Sequence, residues 1–387
     1  MKRLQKFILL LLCVDLVAVV ATGILWAAVW QRQSVEQPES GAVSAVPEEE
    51  ASQEVEPLPE GDTSATQSAH VQETVEPVTM VFAGDVLLDS RTAPNYDAAG
   101  AAGLLDETML QLLTQADLTV VNQEFPFSTR GTPAEDKQYT FRVDPSYCAA
   151  LQDMGVDLVT LANNHSLDYG KEALEDTFQT LDEAGIRYAG AGDSEERASA
   201  LQTFEVGGRT FGFLAASRVI PVTGWNVANE QPGVFCTYDD TALVEQIQEA
   251  QERCDFLTVY VHWGKEHTTE LTEHQLDLAK AYRAAGADLV IGSHPHILQG
   301  ISYQDGVPVF YSLGNFIFGS SIEETAALAV TVDEEGTASY RLVGAYSENG
   351  KTCAMGAEEA QGLYAALDDL SQGVTVEGNG VVHLDGM

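Results

Sequence analysis

Residues 289–296 read Leu289-Val290-Ile291-Gly292-Ser293-His294-Pro295-His296. Three strand-favouring aliphatic residues run into a Gly-Ser step and then into two histidines spaced by two. Side chains alternate along an extended backbone, so that spacing aims both imidazoles the same way. The pattern recurs at four other places. The run 78–83 ends in Gly84-Asp85, 118–121 ends in Asn122-Gln123-Glu124, 158–161 continues as Ala162-Asn163-Asn164-His165, and 256–261 ends in His262-Trp263-Gly264. Singly these are ordinary: Gly-Asp after a strand is commonly a turn or a helix cap, and a lone histidine there is commonly structural. Five together, with Asp, Glu, Asn and His and no thiol, point to one shared site. In open α/β sheets the ligand site lies beyond the carboxyl ends of the strands.

Working outward, runs at 210–215 and 307–311 are further strands, and helices are expected at 104–115, 171–184, 241–253 and 273–285. Their alternation predicts an α/β domain. Runs 326–332 and 339–343, joined by Asp333-Glu334-Glu335-Gly336, are expected to pair antiparallel, giving a mixed sheet or a second sheet. The tail beyond Asn349 is expected to hold a helix at 357–370 and a strand, with no assigned role. No short period repeats, which excludes a solenoid.

The donor inventory of oxygens and imidazoles suits Mn, Fe or Zn. Two such ions, bridged by a carboxylate, would activate water for attack on phosphorus. Charge narrows the partners. The 387 residues carry 19 Lys and Arg against 59 Asp and Glu, a formal net charge of −40. Nucleic acid is excluded, because a phosphate backbone is held by clustered cations. The same surface repels anionic lipid or polymer at range, so an anionic ligand has to be held locally, for example through metal.

Cys13, Cys148, Cys236, Cys254 and Cys353 are scattered without a CxxC pair, which argues against a disulfide framework or a thiolate site. There is no GxSxG elbow, and Gly190-Ala191-Gly192 lacks the strand-turn-helix setting of a nucleotide fingerprint. His70 and His274 are expected in solvent and His383 lies in the tail, while His267 could face the site. Glu266, Arg142 and Arg218 read either as anion- or metal-shell residues or as surface ion pairs.

At the N-terminus Lys2, Arg3 and Lys6 precede an apolar stretch, 7–30, interrupted only by Asp15. At about 1.5 Å per residue it would span a hydrocarbon core of about 30 Å. It is long for a cleaved signal and ends in Trp26 and Trp30, which predicts an uncleaved, single-pass signal anchor. The expected layout is then a cytoplasmic stub at 1–6, the transmembrane anchor at 7–30 and a disordered acidic linker at 31–77. A folded domain at 78–347 and a C-terminal extension at 348–387 would follow, all of it extracytoplasmic by the positive-inside rule.

The ordered set Gly84-Asp85, Asn122-x-Glu124, Asn163-Asn164-His165 with Asp168-Tyr169-Gly170, His262-Trp263-Gly264-x-Glu266, Gly292-x-His294-Pro295-His296 and Ser312-Leu313-Gly314-Asn315-Phe316 resembles the CapA family of capsule and poly-γ-glutamate synthesis proteins. That family is similar in turn to the calcineurin-like metallophosphoesterases, which implies a four-layer α/β/β/α sandwich with mixed sheets. The resemblance implies that Asp85 and His296 serve one divalent metal and Asn164, His262 and His294 a second. Glu124 would be the bridging carboxylate, and His165 would protonate a leaving oxygen or stabilise the transition state. One position departs: the phosphoesterase pattern has Asp-x-His at its first strand, whereas this chain has Asp85-Val86-Leu87. The first metal site is then weak, filled differently or empty. Ser312–Phe316 either shapes the rim as a turn or touches substrate. Two functions follow from the resemblance. One is a metal-dependent hydrolase of an anionic envelope substrate; the other is a non-catalytic or weakly catalytic subunit of a polyglutamate or capsule synthesis and export complex, beside its membrane proteins. A pure polymer-binding module is disfavoured by the acidic surface.

Overall fold

Strand Val78–Val86 sorts its side chains by parity: Val78, Met80 and Phe82 enter one core, Val81 and Ala83 another. A strand buried on both faces reads as a continuous apolar run, because each face needs its own set of hydrophobic residues. Strand Phe256–His262 divides likewise, with Phe256 and Tyr260 on one side and Leu257, Val259 and Val261 on the other. These two strands lie at the hearts of two different sheets. The computed structural model of the protein describes residues 75–229 and 231–386. The expected anchor and most of the expected linker lie outside them. Among the described residues no helix is long and apolar enough to cross a membrane.

The first sheet runs Val374–Val376, Val381–Leu384, Ala338–Glu348, Ile322–Val332, Val78–Val86, Leu118–Gln123, Leu158–Thr160 and Arg187–Ala189. From Val78–Val86 to Arg187–Ala189 the strands are parallel; on the other side Ile322–Val332 and its neighbours are antiparallel. The second sheet runs Ile301–Gln304, Val307–Phe310, Leu289–Ser293, Phe256–His262, Arg209–Ser217 and Gln202–Val206, with four central parallel strands and antiparallel edges. Between the sheets lies a core of Met80, Phe82, Val120, Phe213, Tyr260, Ile291 and Leu328, among others. Helix Lys171–Ala184 covers the far face of the first sheet with Leu174, Phe178 and Leu181, while helices Thr241–Ala250 and Glu273–Ala285 cover the second. The result is a mixed α/β fold in four layers, helix, sheet, sheet, helix.

Helix boundaries follow local chemistry. Thr272 and Gln275 close a capping box on Glu273–Ala285, which stops at the left-handed Gly286. The helix expected at 104–115 spans Glu107–Thr114: Leu105 is extended after the short helix Ala101–Leu104, and Asp106 caps the later one by accepting from the Met109 amide. The apolar periodicity carried no mark of that break apart from Asp106 itself. The helix expected at 241–253 ends at Ala250.

Residues beyond Asn349 take part in the core. Helix Ala357–Leu370 inserts Ala360, Leu363, Tyr364 and Leu367 into the layer between the sheets. Its Tyr364 hydroxyl donates to the Leu342 carbonyl on the first sheet, and Ser371 accepts from the Ile301 amide on the second. The tail therefore ties the two sheets together.

Candidate metal centre

In both sheets the parallel strands end at the same edge, and there the donor residues meet. Strands run further than the apolar runs suggest, so Asp85 and His262 are themselves strand residues. Two glycines allow the close approach. A Cβ on Gly84 would lie 1.8 Å from the Gly314 carbonyl, and one on Gly292 would lie 2.0 Å from the Tyr311 carbonyl. Bare backbone at these points lets the Gly314-Asn315 segment and the histidine turn crowd against the strand ends.

From the first sheet come Asp85 and Glu124, both fully buried, and Asn164. From the second come His262, His294 and His296. His262 Nε2 lies 2.8 Å from Asn164 Oδ1 and 3.4 Å from Glu124 Oε1. His296 Nδ1 lies 3.3 Å from Asp85 Oδ2 and 3.9 Å from Glu124 Oε2. The His294 ring stands 4.7 Å from that of His262 and 5.8 Å from that of His296. All six residues expected to hold metal thus converge. One donor atom each from Asp85, Glu124 and His296 falls within a 4.8 Å circle of neighbours.

Neighbouring polar groups orient these donors. Ser293 Oγ is 2.9 Å from His262 Nδ1, and Asn315 Oδ1 is 2.8 Å from His296 Nδ1. Asn315 belongs to the Ser312–Phe316 segment, which therefore orients a site histidine. Asn122 donates to Asp85 Oδ1 at 2.8 Å while its own carbonyl accepts from Thr160 and Asn163. Such supporting bonds fix ring and carboxylate orientation around a metal.

The electrostatics fit a cation. Burial, and then Asp85 alongside, push the Glu124 carboxyl well above its ordinary range. Burial drives His262 well below its usual value and His294 down to about 3, with the neighbouring imidazoles adding to it. Both are held as neutral rings with lone pairs to offer. Burial also opposes charge on His296, but Glu124 and Asp85 outweigh it and lift the ring to about 10. Asp85 Oδ2, Glu124 Oε2 and His294 Nδ1 are buried without a hydrogen-bond partner. Buried polar atoms in native folds are nearly always satisfied, and paired buried carboxylates need a counter-charge. The residues present fit a divalent ion.

His165 sits at the rim, 6 % exposed, with Nδ1 2.7 Å from Asp168 Oδ2. Phe141 packs on its ring at 4.5 Å between centroids, and the Phe141 amide donates to the same Asp168 oxygen at 2.7 Å. Burial holds the His165 imidazole below its ordinary value against the pull of Asp168. Lys137 reaches the same spot, its ammonium pairing with Asp168, donating to the Asn164 carbonyl and standing 3.0 Å from His165 Nδ1. Lys137 carried no signal in the sequence, because it lies in a loop whose length and composition say nothing about where it folds back.

The remaining candidates separate. His267 is exposed beside the site, its ring 5.8 Å from that of His296. His274 lies 3.5 Å from an Arg218 nitrogen, and Arg218 itself packs over Tyr238. Arg142 stacks on Tyr169, and His383 pairs with Glu377.

The "Capsule biosynthesis protein CapA" of Bacillus anthracis is 30% identical over 282 residues, 69% of this chain and 67% of that one. The "PGA biosynthesis protein CapA" of Bacillus subtilis (strain 168) is 27% identical over 269 residues, 67% of this chain and 69% of that one. A "Probable polyglutamine synthesis accessory protein" of Mycobacterium tuberculosis is 30% identical over 213 residues, 53% of this chain and 56% of that one. The family model described as "Bacterial capsule synthesis protein PGA_cap" matches residues 79–320, a span that contains every donor described above, and the chain belongs to that family.

Proposed function

We propose that this protein is a divalent-metal-dependent hydrolase of phosphoester-type bonds, working outside the cytoplasm in capsule or poly-γ-glutamate synthesis. The carrying observation is the convergence of Asp85, Glu124, Asn164, His262, His294 and His296 with three buried donor atoms left without a hydrogen bond. Divalent ions bound there, two of them Mn, Fe or Zn, would supply Lewis-acid polarisation of a phosphoryl group and activation of water. The chain's own residues do the rest. Asp85 and His296 would hold one ion and Asn164, His262 and His294 a second, with Glu124 shared by the two sets. Asp168 fixes His165 through Nδ1, which leaves Nε2 to exchange a proton with the leaving oxygen. Lys137 holds Asp168 in place and adds positive charge beside an otherwise acidic site. The apolar 7–30 segment behind its basic flank supports a single N-terminal membrane anchor, and the acidic stretch after it a tether.

Two features favour a second reading, a non-catalytic or weakly catalytic subunit of a synthesis and export complex: Leu87 stands where the phosphoesterase pattern has histidine, and relatives are named as synthesis accessory proteins. The purified full-length chain distinguishes them. Metal content is measured together with turnover of a generic phosphodiester and phosphomonoester, for the wild type and for His262→Ala and His296→Ala. Bound metal with turnover lost in both variants establishes the hydrolase. Metal without turnover moves the assignment to the assembly subunit, and absence of metal sinks the metal centre.

A further inference from the structure

Leu87 is 2 % exposed and packs in the core between the first sheet and its helices, so that position offers no donor. The first group would then rest on Asp85, Glu124 and His296 alone. A further carboxylate lies nearby. Glu266 follows His262 by four residues in the loop that leaves the strand, and the His267 amide donates to the Pro295 carbonyl at 2.9 Å, which ties this loop to the His294-Pro295-His296 turn. One donor atom each from Glu266, His294 and His296 lies within 4.8 Å of the other two.

A second observation points to a ligand at this spot: His294 is 5 % exposed and its Nδ1 finds no partner. The backbone agrees. His267, His294 and His296 hold φ of 57°, 94° and 61°, a region that residues with a side chain rarely enter. Strain of that kind persists where the surroundings dictate a particular orientation, and it clusters at functional sites. Among the described residues no Lys, Arg or His lies within ion-pair distance of Glu266.

We infer that Glu266 is a metal ligand, closing the centre with a carboxylate where the phosphoesterase pattern uses the histidine that Leu87 replaces. This rests on the metal-centre reading above. Exchanging an imidazole for a carboxylate hardens the donor set, and harder, oxygen-rich sets suit manganese over zinc.

The test strips the purified full-length chain with a chelator and titrates it with manganese or zinc chloride, counting bound ions and recording the manganese EPR spectrum. Glu266→Gln loses one equivalent of manganese, or binds it at least about tenfold more weakly, and loses any spin-coupled manganese signal. Because Glu266 is exposed, the stripped variant keeps the wild-type melting temperature. Glu266→His restores the stoichiometry and shifts the preference towards zinc. Wild-type stoichiometry and affinity in Glu266→Gln overturn the inference and leave the metal centre standing. A wild-type chain that binds neither ion overturns both.

Discussion

The two sheets contribute unlike halves to the centre. The first supplies oxygens (Asp85, Glu124 and the Asn164 amide) and the second supplies imidazoles (His262, His294 and His296). Their electrostatics oppose one another. Burial, and then the neighbouring Asp85, makes Glu124 reluctant to ionise, and burial keeps His262 and His294 neutral. Of the three histidines only His296 is held protonated, and it lies against both carboxylates. Neither half suffices: oxygens alone lack the nitrogen donors, and imidazoles alone lack negative charge to balance a divalent ion. Docking of the sheets through their common core therefore creates the site.

The largest effect is expected at His165, to which the proposed function gives a role in the reaction rather than in either half. His165→Ala lowers kcat by about 10²–10⁴-fold while bound metal, measured directly, stays at the wild-type level. Loss of metal in that variant would show that His165 belongs to the donor set.

Next comes the core joining the halves. Phe82 is fully buried between the sheets, 6.3 Å from the Phe213 ring, and Phe82→Ala costs about 3–5 kcal/mol of stability. It should also weaken metal binding by the folded protein. Leu174→Ala, in the outer layer, costs about 2–5 kcal/mol with metal affinity unchanged. Equal affinities in the two variants would refute the view that inter-sheet packing sets the site.

Supporting bonds come third. Ser293→Ala removes the hydroxyl beside His262 Nδ1, and Asn315→Ala the amide oxygen beside His296 Nδ1; each is expected to weaken metal binding about 10–100-fold by calorimetry.

The smallest effect concerns the chelated protein. The folded-state pKa of Glu124 is raised above its unfolded value, so the native state binds the extra proton. The penalty is absent below the ordinary carboxylate range and develops as pH rises towards the folded value. Glu124→Gln should therefore melt a few degrees above the chelated wild type at neutral pH and at the same temperature near pH 4. Added manganese reverses the order, stabilising only the wild type. A pH-independent difference would place the effect in packing rather than charge.

Legibility differed between parts of the molecule for physical reasons. Strands and ligand-bearing ends were readable because each sheet is buried on both faces, which leaves continuous apolar runs that stop abruptly at polar residues. The helix expected from Leu104 begins at Glu107, because the apolar Leu104 and Leu105 precede the Asp106 cap without breaking the apolar spacing. Asn122 and Asp168 stood inside recognised motifs without a role, since a supporting residue differs from a turn residue only in what it touches. Lys137 sits on a loop, where no periodicity constrains direction, and for the same reason Glu266 could be read only as either a metal-shell residue or a surface ion pair.

The sequence by itself determined the α/β class, the order of the central strands and longer helices, and the chemistry of the donors, because these depend on local pattern and residue type. Only the tertiary structure decided that acids and imidazoles come from opposite sheets, that Lys137 returns to His165, and that the tail helix ties the sheets together. Those facts rest on contacts between residues far apart in the chain. Such contacts are selected by the packing of one core against another, which no short stretch of sequence encodes.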